Sequence, residues 1–99
     1  MEEKFLPIGT VVLLKGAKKN VMITSYFISA DKEKKVFEYG GCPWPIGVQK
    51  DLGFGFNHDE IEKVVYMGYN DDEMKKVNEY LNENEEKLIN ELKEKMSKQ

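Results

Sequence analysis

Cys42 and His58 are the only cysteine and the only histidine of the chain, and both fall in one stretch rich in glycine and proline, residues 40–58. A thiol beside an imidazole could form a nucleophile–base pair. A reactive thiolate needs a cationic or helix N-terminal setting, which Gly41-Cys42-Pro43 does not announce, and no catalytic cysteine signature surrounds it. A small enzyme using Cys42 and His58 is therefore the weakest of the readings kept, behind a buried structural cysteine and a hydrogen-bonding histidine. His58, Asp59, Glu60 and Glu62 are metal-ligand types. One histidine with one distant cysteine falls short of a zinc set, and the alternating oxygen ligands of a calcium loop are missing. A solvated turn is the simpler reading, with Asn57 or His58 tying it to a neighbouring strand. Gly53-Phe54-Gly55-Phe56 lacks the Lys-Ser/Thr ending of a phosphate loop, and its glycines suit close packing of a strand. No catalytic, cofactor or metal residue is assigned, and a non-enzymatic protein is expected.

Pro43-Trp44-Pro45-Ile46 offers recognition instead. The prolines fix φ on both sides of Trp44, so the loop loses little entropy when it binds, and tryptophan is enriched at binding hot spots. Two placements of Trp44 are open: folded back over an open end of the sheet, or facing outward.

The elements that must position these residues divide near Asn70. Residues 1–69 hold every glycine and proline and all five phenylalanines; residues 70–99 hold neither glycine nor proline. The first part reads as strands over Gly9–Lys15, Val21–Ser29, Lys35–Tyr39, Phe54–Asn57 and Glu62–Met67. Turns separate them at residues 16–20 and 30–34, a long loop at 40–53, and a helical turn at 58–62. Met22, Thr24, Tyr26 and Ile28 alternate with Val21, Ile23, Ser25 and Phe27 across two faces of the second strand. The fold expected is α+β: a small, strongly bent antiparallel sheet or SH3-like barrel of about five strands, followed by a long amphipathic helix, together one structural domain.

Asn70, with Glu73 three residues on, has the pattern of a capping box. Met74, Val77, Leu81, Leu88, Leu92 and Met96 form an apolar stripe that Asn84 interrupts and Tyr80 and Ile89 widen. A helix of about 27 residues would be about 40 Å long. Its distal half then either frays after Glu86 or projects beyond the sheet, where Leu88, Ile89, Leu92 and Met96 require a partner.

Net charge is −3 with fifteen lysines and no arginine, which argues against a nucleic-acid binder and excludes bidentate arginine forks. A single cysteine excludes an intrachain disulfide. With no apolar run of membrane-spanning length and Glu2 and Glu3 at the start, a cytoplasmic protein without a membrane partner is expected.

Four blocks carry a resemblance: residues 6–16 (Leu-Pro-Ile-Gly-Thr-Val-Val-Leu-Leu-Lys-Gly), 39–47 (Tyr-Gly-Gly-Cys-Pro-Trp-Pro-Ile-Gly), 54–61 (Phe-Gly-Phe-Asn-His-Asp-Glu-Ile) and 65–69 (Val-Tyr-Met-Gly-Tyr). In this order they resemble a small uncharacterised-domain family of Gram-positive bacteria, often encoded beside LXG-type toxins of the type VII secretion system. The resemblance covers the chain to about residue 81. It implies a non-enzymatic accessory protein that engages a cognate toxin before export as a chaperone or targeting factor. The family's Gly-Cys-Pro motif falls on Gly41, Cys42 and Pro43, and its Asn-His-Asp motif on Asn57, His58 and Asp59. Both are read as structural or partner-facing; Trp44 stands where the family varies. The contact residues expected are Pro43, Trp44, Pro45 and Ile46 with Leu88, Ile89, Leu92 and Met96. The alternative is self-association, with helices pairing in a homodimer.

Overall fold

A computed structural model describes residues 4–30, 35–49 and 54–97. The expected hairpin loop at 31–34, the end of the long loop at 50–53 and Lys98 lie outside the described residues, as does the side chain of Met96.

The strands are β1 (Val11–Leu14), β2 (Asn20–Ala30), β3 (Lys35–Pro43), β4 (Phe54–Phe56) and β5 (Ile61–Tyr66), followed by helix α1 (Asp72–Ser97). They form one antiparallel sheet in the order β4-β3-β2-β1-β5. Strands β1 to β4 follow one another across the sheet, and a 3-10 turn (His58–Glu60) brings the chain back so that β5 pairs with β1. Of the two expected forms, the described residues show the sheet, with β4 and β5 as its edges.

β3 runs four residues past the expected end at Tyr39. Gly40 and Gly41, expected at the start of a loop, are strand residues at a close crossing. A Cβ on Gly41 would sit 2.7 Å from Val21 Cγ1, so β2 leaves no room for a side chain there. Gly55 serves the same purpose in β4, where a Cβ would meet the Phe37 ring at 2.5 Å.

The even alternation expected along β2 is broken. The β2–β3 register shifts between Ile23 and Ser25, and Phe27 has φ of 50°. A bulge places an extra residue in one strand and switches the faces beyond it. Tyr26 thereby comes opposite the buried Tyr39, while Phe27 is buried as well. Both rings contact Phe5, at centroid distances of 6.0 and 5.4 Å. The core comprises Phe5, Val12, Val21, Ile23, Phe27, Tyr39, Phe56 and Leu81.

Phe5 enters this core from an N-terminal segment that belongs to no strand. Side chains satisfy its backbone. The Phe5 N–H donates to Asn78 Oδ1 at 3.3 Å, and Asn78 Nδ2 donates to the Phe5 carbonyl at 2.6 Å. The Leu6 N–H donates to the Tyr39 hydroxyl oxygen at 3.1 Å, and the Tyr26 hydroxyl donates to the Leu6 carbonyl. Asn78 is 2% exposed, so its amide has given up water entirely for these bonds and one from Asn82.

The helix is capped one residue later than expected. Asp71 Oδ1, not Asn70, accepts the Met74 N–H at 3.0 Å, and the Asp71 carbonyl accepts the Lys75 N–H. The core-facing stripe is also rotated. Asn78 and Leu81 are buried while Val77 and Tyr80 are exposed. Beyond Asn84 the helix neither frays nor projects free. It continues to Ser97, and Leu88, Ile89 and Leu92 pack half-buried against the core. Those three residues therefore have a partner within the chain, which covers them in part.

Lys4 joins three elements. Its Nζ lies 2.9 Å from Glu38 Oε2 on β3 and 2.7 Å from Glu85 Oε1 on α1. Burial pulls the Lys4 pKa down, but the bonds to Glu85 and Glu38 outweigh it and the net direction is up. Burial pushes Glu38 up, but the bonds from Lys4 and the His58 N–H outweigh it and the net direction is down.

Replacing Asn78 with leucine should cost about 3 kcal/mol in urea unfolding, because the Phe5 N–H and carbonyl stay buried without partners. Asn90→Ala, on the exposed face of the same helix, should cost less than about 0.5 kcal/mol. Equal costs would contradict this role for Asn78. The lowered carboxyl of Glu38 stabilises the fold fully above the unfolded value, and that share is lost as pH falls through its folded value. The urea midpoint should therefore drop on acidification below pH 4.5 more steeply for the wild type than for Glu38→Gln; parallel curves would contradict the assignment.

Candidate interaction surface

Cys42 and His58 are brought to the same strand region but not to each other. Cys42 is 1% exposed on β3, opposite Met22. Tyr39, three residues earlier on the strand, faces the core, and an odd spacing points the two side chains to opposite faces. His58 belongs with Tyr39: its Nδ1 lies 2.8 Å from the Tyr39 hydroxyl. No hydrogen bond joins His58 to Cys42 among the described residues.

The Asn57-His58-Asp59 segment fastens the 3-10 turn to β3. Asn57 Oδ1 accepts the Glu38 N–H at 3.0 Å, and the His58 N–H donates to Glu38 Oε1 at 2.9 Å. The Asn57 N–H donates to Glu60 Oε2 at 2.7 Å. Asp59 is exposed on the turn. Among the described residues no three His, Cys, Asp or Glu side chains converge as metal ligands. Burial pushes the Tyr39 hydroxyl up to about 12 and the Tyr26 hydroxyl further. Both are neutral at physiological pH, and both hydroxyls serve as hydrogen-bonding groups.

The turn after β3 is closed by the Gly47 N–H donating to the Pro43 carbonyl at 2.8 Å, and the Trp44–Pro45 peptide is cis. The Trp44 N–H donates to the Asn20 carbonyl, which pins the turn to the start of β2. Trp44 is 48% exposed and Ile46 61% exposed. Trp44 is thus half-exposed, and it lines an open groove of about 460 Å³ with Gly9, Val11, Asn20, Val65 and Tyr66.

Of the residues lining that groove, Trp44 alone is among the expected contact residues. Val64, Val65, Tyr66 and Met67 form a continuous apolar run, a pattern that suits a strand buried on both faces. Val64, Val65 and Tyr66 instead lie in β5, which pairs among the described residues with β1 alone, and Tyr66 is 67% exposed.

The two expected sets of contact residues do not form one surface. Of Pro43, Trp44, Pro45 and Ile46, Trp44 lines the groove with Val11, whereas Leu88, Ile89 and Leu92 pack on the core that contains Val12. Successive strand residues face opposite sides, so the sheet lies between the sets. The helix side keeps a smaller groove of about 230 Å³, bounded by Tyr26, Phe27, Tyr80, Leu88, Leu92 and Lys95 among others. Among the described residues no helix is long and apolar enough to cross a membrane.

Fold and surface together define a small α+β domain: a five-stranded antiparallel sheet backed by one long helix, with an open apolar groove beside its edge strand. The chain belongs to the family described as domain of unknown function DUF4176, whose model matches residues 5–77. No curated protein and no solved structure matches it.

A thiol-specific reagent should label Cys42 only as fast as the protein unfolds globally, since the sulfur is shielded within the sheet. Rapid labelling under native conditions would reopen the nucleophile reading.

Proposed function

We propose that this protein is a non-enzymatic binding module that holds a secreted toxin of the type VII system before export, as a chaperone or targeting factor. The observation that carries the reading is the groove shared by Trp44, Val65 and Tyr66: a half-exposed tryptophan on a closed turn, set against an exposed tyrosine on an edge strand. Buried aromatic anchors in a preformed pocket dominate protein interfaces, and a site already ordered loses little entropy on binding. The polar groups that might have done chemistry are engaged in holding the fold, as with His58 on Tyr39 and Asn57 on Glu38. The choice of an LXG-type toxin as partner comes from the resemblance of the four sequence blocks, and a location in the cytoplasm follows from that choice.

Co-expression with the toxin encoded next to it tests the reading. The two proteins should co-purify, and Trp44→Ala combined with Tyr66→Ala should weaken binding by about tenfold or more, the scale of losing a hot-spot residue. The double variant should keep the wild-type circular dichroism spectrum. Failure to co-purify, or undiminished binding by the double variant, would contradict the proposal.

A further inference from the structure

We draw no further inference here: the strongest candidate, the exposed outer edge of β5 beside the Trp44 groove, belongs to the surface already described, and nothing in the structure shows what covers it.

Discussion

Two hydrogen bonds between the Asn78 side chain and the Phe5 backbone connect parts of the chain that are 73 residues apart. Phe5 has no strand partner to satisfy its backbone, yet its ring lies at the centre of the core. A buried N–H and a buried carbonyl without partners would each cost about 1–3 kcal/mol, a large share of the stability of a domain this size. The carboxamide of Asn78 is the one side chain here that supplies both a donor and an acceptor to that residue. Its position on α1 sets where the helix lies over the sheet. Leu81 and then Leu88 and Leu92, further along the same face, consequently reach the core.

The polar chemistry of the molecule is concentrated around this latch. Lys4 extends it to Glu38 and Glu85, and Tyr39 and Tyr26 extend it to Leu6. Glu38 carries it onward to Asn57 and His58. The residues best suited to acid–base work are thus fixed in one structural network on the core side and its rim. The opposite side of the sheet has the reverse character. There the turn at Trp44 and the edge strand present apolar surface.

Much of the architecture could be read from the sequence, for local reasons. Strand-forming runs punctuated by glycine and a glycine-free amphipathic segment mark the sheet and the helix, and both are present. What escaped depends on contacts distant in sequence. The alternation over Val21–Phe27 looks regular, yet the strand is bulged between Ile23 and Ser25 and takes a positive φ at Phe27, where Tyr26 and Phe27 both meet Phe5. Asn78 lies between Met74 and Leu81 at helical spacing, so a polar residue on the apolar face was visible, but its partner was not. At the candidate site, the stiff turn around Trp44 was legible from its prolines. The contribution of Val65 and Tyr66 was not, because a run of apolar residues looks the same whether the strand is central or at an edge.

Native-state hydrogen exchange resolved to single amides tests the central claim, that an N-terminal segment outside the sheet is part of the cooperative core. The Phe5 and Leu6 amides should exchange only with global unfolding, at the same free energy as the Ile23 amide, which donates to the Thr10 carbonyl deep in the sheet. Exchange of Phe5 and Leu6 at the rate of a fraying terminus, with Ile23 still protected, would contradict it.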